Sequence, residues 1–221
     1  MKIYSLQQIV DIARSDSPWF KKLYKDVPKE VKDVSELPLT DLDEYWTANT
    51  INNNEIVTNN NYHGHIFKSG GTSGNPKFSI FSNEEWKTFC GVFGESIGNK
   101  LVFNEKIANV FYCGDLYCSF LFIRDSLAMS GVPIAQFPIS GATDEDLILK
   151  TINDFQISTI VGVPTTIIGI LNYYKNNKDL FPQINVKKIL FGGEPFFDDQ
   201  RKGLDSIFPG IEIVCLINHD E

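Results

Sequence analysis

From residue 108 onward the chain alternates short apolar runs with longer segments of helical period, and that alternation leaves few folds open. Residues 108–113, 132–137, 159–163, 188–191 and 212–217 are short apolar runs in which Val, Ile and Phe recur, of strand length. Between them, helices are expected over 116–130, 143–155, 165–176 and 198–207. A strand reached through a helical crossover pairs in parallel with its predecessor's sheet. The expected class is therefore α/β, with mostly parallel sheets flanked by helices on both faces. Ligands of such sheets gather at the carboxyl ends of the strands.

Ahead of this region, helices are expected over residues 3–13 and 17–25, the second capped by Ser17 with Pro18 in the first helical position. Thr40 is the expected cap of a short helix running to Trp46. Ser82-Asn83-Glu84-Glu85 has the form of a capping box and opens a helix reaching Ile97. The asparagine-rich stretch 52–61 reads as a surface loop. This divides the chain into a helical N-terminal segment with that loop, 1–61, and an α/β core, 62–221.

Residues 69–77 read Ser-Gly-Gly-Thr-Ser-Gly-Asn-Pro-Lys and lie between two strand-like runs, His65-Ile66-Phe67 and Phe78-Ser79-Ile80-Phe81. Gly70, Gly71 and Gly74 expose backbone N–H donors; Ser69, Thr72 and Ser73 add hydroxyls, and Lys77 adds one positive charge. That set suits a polyanion such as the β- and γ-phosphates of ATP. A Gly/Ser-rich stretch can also be a plain linker, although linkers are seldom framed by two strands. The run is not a Walker A loop, because Gly74 is followed by Asn75-Pro76-Lys77 rather than by Lys and a hydroxyl residue opening a helix. Pro76 has no N–H and biases Asn75 away from helix, so the chain should leave the loop extended. The spacings of a nucleophile elbow and of a dinucleotide fingerprint are absent as well.

All nine positions agree with the phosphate loop of the adenylate-forming superfamily, which the chain resembles. Leu37-Pro38-Leu39-Thr40 before the loop, and Val161-Gly162-Val163-Pro164-Thr165 and Gly192-Gly193-Glu194-Pro195 after it, occur in the order seen in its phenylacetate–CoA ligase-like and acyl-protein synthetase branches. The resemblance implies the N-terminal part of that enzyme fold. It also implies ATP-dependent activation of a small carboxylic acid as an acyl-adenylate, followed by thioester transfer to CoA or a carrier-protein thiol. On the same basis Ser69, Gly70, Gly71, Thr72, Ser73 and Gly74 would grip the phosphates, and Lys77 would add charge at the loop end or serve as a solvated strand anchor. Gly192, Gly193, Glu194 and Pro195 would border the adenine, where glycine allows a flat ring close to the backbone; an ordinary strand-to-helix connection has the same look. Tyr112, Tyr117 and the Gly162-Val163-Pro164 turn match pocket-lining segments for the acyl group, with Phe120 beside them. Aromatics at helical spacing more often belong to a core than to a pocket.

Two departures limit the implied activity. The family places a Tyr-Gly-x-x-Glu motif, whose glutamate helps hold Mg2+, where this chain has Ile217-Asn218-His219-Asp220-Glu221. Glu221 falls at the metal-linked acid, while the aromatic and the glycine are missing. The implied small C-terminal domain with its catalytic lysine is not found in these 221 residues, so the expectation is either a truncated ligase or one completed by a separate chain as partner, beside a possible homo-oligomer. The alternative is a non-catalytic relative that keeps the fold and binds a nucleotide, an acyl ligand or a partner chain.

Composition excludes more than it identifies. A net charge of −8 argues against a nucleic-acid binder, yet not against ATP, whose charge is met by local donors. No apolar run approaches the roughly 20 residues needed to span a bilayer, and the polar N-terminus does not read as a signal peptide. A cytoplasmic protein is the expectation. Cys90, Cys113, Cys118 and Cys215 form no Cys-x-x-Cys pair, and with His63, His65 and His219 they make poor zinc spacing, so buried free thiols are expected.

Overall fold

A computed structural model of the protein describes residues 4–59, 63–69 and 77–216, in two compact units, residues 1–88 and 89–221. The first unit begins with α1 (Leu6–Asp16), opened by a capping box between Ser5 and Gln8. Helix α2 (Pro18–Leu23) starts as expected, with Ser17 Oγ accepting the Phe20 N–H at 3.3 Å and Pro18 at the first helical position. Helix α3 (Leu42–Ala48) departs from expectation at its cap, which is Asp41 rather than Thr40. The Asp41 carboxylate accepts the N–H groups of Asp43 and Glu44 at 2.9 and 3.0 Å. An anion is a stronger acceptor than a hydroxyl at the positive end of a helix.

Strands β1 (Gly64–Lys68) and β2 (Phe78–Ser82) pair antiparallel, with Ile66 opposite Ile80 and Lys68 opposite Phe78. The rings of Phe67 and Phe81 pack on Trp86 at 4.9 and 5.6 Å. Trp86 belongs to α4 (Asn83–Ile97), which opens on the expected box: the Glu85 N–H donates to Ser82 Oγ at 3.2 Å, and the Ser82 N–H to Glu85 Oε2 at 2.7 Å.

The second unit runs β3 (Lys106–Asn109), α5 (Ser119–Ala128), β4 (Ala135–Pro138), α6 (Glu145–Phe155), β5 (Thr159–Gly162), α7 (Pro164–Asn176), β6 (Lys188–Phe191), α8 (Asp198–Ile207) and β7 (Glu212–Cys215). Its five strands are parallel, in the order β4-β3-β5-β6-β7. The chain winds first from β3 to β4, then crosses to β5 on the opposite side of β3. Strand order therefore reverses between β3 and β5, which makes a topological switch point there. Alternate strand residues feed two cores. Ala108, Ile160 and Ile189 meet α6, α7 and α8 through residues such as Leu149, Ile167, Leu171 and Leu204. Ile107, Val161 and Leu190 meet α5 and the end of α4 through Leu127, Ile123 and Ile97. No helix among the described residues is long and apolar enough to cross a membrane.

Strand β3 and helix α5 depart from their expected spans. Strand β3 covers 106–109 instead of 108–113: the Val110 N–H still reaches the Val161 carbonyl at 2.8 Å, and from there the Asn109 side chain directs the bonding, its Nδ2 donating to the Phe120 carbonyl at 3.1 Å and its Oδ1 accepting the Phe111 N–H at 3.1 Å. Helix α5 starts at Ser119 instead of residue 116, because Gly114, Asp115 and Leu116 all have positive φ (131°, 47° and 62°) and cannot begin a right-handed helix.

A charged cluster is buried at the amino end of the sheet. Lys188 Nζ lies 3.1 Å from Glu105 Oε1 and donates to the Lys100 carbonyl at 2.9 Å. Glu105 also accepts from Thr159 Oγ1 and from the Val102 N–H. With side chains 8% and 6% exposed, Glu105 relies on Lys188 for its counter-charge, while Lys188 also lies 3.7 Å from Glu212 Oε2. Lys188→Met should therefore cost about 3–5 kcal/mol in urea unfolding by leaving Glu105 buried and unpaired. Lys188→Met with Glu105→Gln should recover most of it; equal losses in single and double variants would contradict the pairing.

Candidate functional site

The carboxyl ends of β5 and β6 converge through glycines. At Gly162 an added Cβ would stand 2.8 Å from Val110 Cγ2, so a side chain there would force the strands apart. Pro164 then takes the first position of α7, after Val163, whose side chain cannot cap the helix. On the neighbouring strand, the Gly192 N–H reaches the Gly162 carbonyl at 3.4 Å, and Gly193 turns the chain with φ of 84°. The turn delivers Glu194 to α7. Its carboxylate accepts the Thr165 N–H and the Thr165 hydroxyl, both at 3.1 Å, and so supplies the cap that Val163 lacks. Glu194 thus fastens the two sequence motifs together.

Beside this clamp lies a cavity of about 520 Å³ lined by Phe191, Gly192, Gly193, Glu194, Pro195, Phe196 and Cys215. That volume lies within the range of small-molecule sites, roughly 300–1,000 Å³. Phe191 and Phe196 meet edge to face at 5.0 Å, and the Arg201 guanidinium lies over both rings at 5.5 and 5.2 Å. Among the described residues the nearest atom to an added Cβ at Gly192 would be Leu216 Cβ at 4.0 Å.

At the switch point, Tyr112 and Tyr117 form an edge-to-face pair at 5.5 Å and remain 45% and 37% exposed. The left-handed turn at 114–116 joins them. Ser140, itself at φ 72°, accepts the Cys113 N–H on its Oγ at 3.2 Å, and the Gly141 N–H donates to the Phe111 carbonyl at 3.1 Å. An added Cβ at Gly141 would lie 2.8 Å from Thr166 Cγ2 and collide with the Val110 carbonyl, so the 140–141 loop closes tightly over the ends of β3 and α7. Phe120 takes no part in this surface; it is buried in the core with Leu127. The expectation of buried thiols holds for Cys90, whereas Cys113 and Cys118 are exposed and Cys215 is half-buried.

In the first unit, the Ser69 N–H donates to the Lys77 carbonyl at 2.9 Å and closes the neck of the nine-residue loop directly beyond β1 and β2. Gly70, Gly71, Thr72, Ser73 and Gly74 lie outside the described residues, as does Glu221. Lys77 Nζ sits 5.1 Å over the Trp46 ring, and Asn49 Nδ2 donates to the Phe78 carbonyl at 2.9 Å. In this unit Trp46 and Asn49 touch the exit of the loop, and in the second unit Thr165 is the partner of Glu194. Thr165 stood inside a motif already, while nothing local in sequence connects Trp46 or Asn49 with a loop some thirty residues later.

No protein-family model matches the chain, and no curated protein sequence matches it. Solved structures do. The chain resembles 2-hydroxyisobutyryl-CoA ligase in complex with 2-HIB-AMP and CoA in the thioesterification state, with a TM-score of 0.75 at 14% identity over 94% of this chain and 46% of that one. An open conformation of the same ligase with 2-HIB-AMP and CoA gives 0.74 at 13% identity, over 94% and 47%. Its postadenylation state with 2-HIB-AMP gives 0.73 at 15%, over 94% and 46%. The chain therefore has the N-terminal part of the adenylate-forming ligase fold and spans about half the length of the ligase structures it matches.

Two outcomes follow from this geometry. Glu194→Ala removes the α7 cap and should lower stability by about 0.5–2 kcal/mol in urea unfolding, with Glu194→Gln losing less; an unchanged midpoint for Glu194→Ala would contradict the clamp. The Cys90 thiol is pushed up to about 11, first by burial and then by the Asp125 charge. At pH 8 only roughly one molecule in a thousand then carries its thiolate. A maleimide should label Cys113 in the folded protein and reach Cys90 only on unfolding, and equal labelling rates would contradict that burial.

Proposed function

We propose that the chain is the nucleotide- and acyl-binding part of an ATP-dependent carboxylate-activating ligase, forming an acyl-adenylate and passing the acyl group to a thiol of CoA or of a carrier protein. One coincidence carries the reading. A chain with the fold of a ligase crystallised with its acyl-AMP and CoA also holds, between two paired strands, a loop whose donors suit a triphosphate.

In this reading a carboxylate oxygen attacks the α-phosphorus of ATP, and the bond to the pyrophosphate oxygen breaks. Two anions must be brought together, so binding has to hold the triphosphate still and offset charge developing on the leaving group. Ser69, Gly70, Gly71, Thr72, Ser73 and Gly74 would donate to the β- and γ-phosphates, with the Lys77 ammonium at the loop exit. Gly192, Gly193 and Pro195 would border the adenine in the cavity beyond β6, and Glu194 would keep that turn seated on α7. Tyr112, Tyr117, Gly162, Val163 and Pro164 would face the acyl group. Glu221 is the residue that would hold Mg2+, which lowers the charge of the phosphates when bound. A C-terminal domain, in the same chain or a separate one, would complete the site by excluding water.

A second reading is a non-catalytic descendant that binds nucleotide only. The residues Ile217-Asn218-His219-Asp220, which lack the aromatic and glycine of the family's metal motif, favour it.

The two separate in one assay. Labelled pyrophosphate should exchange into ATP in a carboxylate-dependent way across a panel of small acids that includes 2-hydroxyisobutyrate, and Ser73→Ala with Lys77→Ala should abolish the exchange. Exchange that survives the double substitution would remove the phosphate-loop assignment. A rise in melting temperature with millimolar ATP but no exchange with any acid would leave the second reading. No thermal shift at all would contradict both.

A further inference from the structure

We infer that Trp46 is a positioning residue for Lys77, its indole face holding the ammonium at the exit of the 69–77 loop as an uncancelled charge; this rests on the nucleotide site proposed above. Lys77 Nζ stands 5.1 Å from the ring centroid, inside the roughly 6 Å over which a cation is attracted to an aromatic face. The ring partner matters because of what it does not do. Among the described residues no carboxylate forms an ion pair with Lys77. A carboxylate would compete with an incoming phosphate, whereas an indole restrains the flexible lysine stem and leaves its charge available.

The backbone under Lys77 is fixed from the same helix end. Trp46 and Asn49 are three residues apart at the end of α3 and so share one side of it. Asn49 Nδ2 donates to the Phe78 carbonyl at 2.9 Å, while the Ser69 N–H holds the Lys77 carbonyl at 2.9 Å. Asn49 is itself locked by Asn54, whose Nδ2 donates to Asn49 Oδ1 at 2.6 Å and whose Oδ1 accepts the Ile56 and Val57 N–H groups at 2.8 and 3.0 Å. The indole is braced edge-on by Tyr45 at 5.0 Å, and Tyr45 by Trp19 at 5.6 Å. The Lys77 ammonium and the neighbouring Phe78 carbonyl are thus both held by the end of α3, which reduces the ordering that an anion must impose on binding.

The test is titration of the 221-residue chain with Mg2+-ATP by calorimetry, in the wild type and in Trp46→Leu, Trp46→Phe, Lys77→Met and the Trp46→Leu/Lys77→Met pair, with thermal melting to confirm folding. Trp46→Leu should weaken binding about two- to fivefold, the range expected of an exposed cation–π contact. Trp46→Phe, which keeps an aromatic face, should restore part of the loss. In the Lys77→Met background Trp46→Leu should have no further effect. An equal loss in both backgrounds, or Trp46→Phe behaving like Trp46→Leu, would show that Trp46 acts only on the fold and would overturn the inference alone. A wild type that binds no Mg2+-ATP would instead remove the nucleotide reading, and the inference with it.

Discussion

Burial of both faces of the five-stranded parallel sheet is the constraint on which the second unit depends. Parallel strands cannot be joined by tight turns, so each needs a crossover, and each crossover helix must lay an apolar stripe on the sheet. Ile160, Ile189 and Ile107, none of them measurably exposed, show how completely this is met. Because α5 covers one face and α6, α7 and α8 the other, the strand order reverses between β3 and β5. Ligands of open α/β sheets gather near such a reversal, at the carboxyl ends of the strands; here the cavity lies at the carboxyl ends of β6 and β7. The glycines that look functional in sequence serve this geometry first: Gly162 lets β5 pass Val110, and Gly193 turns the chain left-handed so that Glu194 reaches α7.

The first unit is built around a different device. A hairpin of β1 and β2 holds the ends of a nine-residue loop, and the end of α3 braces the exit strand through Asn49. Rigid flanks of this kind are what a loop rich in glycine requires if its N–H groups are to be presented together, since glycine contributes no restraint of its own.

Much of this was legible in the sequence, and the reasons differ by element. Strand β6 and helix α8 match their expected spans, because Lys188-Ile189-Leu190-Phe191 is bounded by turn residues and α8 carries acids at its start. The capping box at Ser82 and the Ser17-Pro18 start were local signals and were met locally. What escaped was set by partners distant in the chain. Asn109 ends β3 through a bond to Phe120, Glu194 caps a helix 29 residues earlier, and Lys77 finds its ring on α3. The exposure of Cys113 likewise follows from the left-handed turn beside it, which no periodicity announces. The site motifs were visible as chemistry, while their mutual bracing was not.

As proposed, the turns after β5 and β6 would seat an acylated adenosine. Titrating the protein with a non-hydrolysable acyl-sulfamate analogue of an acyl-adenylate, with backbone amides followed by NMR, tests this. Shifts should concentrate at Gly162, Thr165, Gly192 and Gly193. Saturating ligand that leaves these four amides unmoved would contradict it.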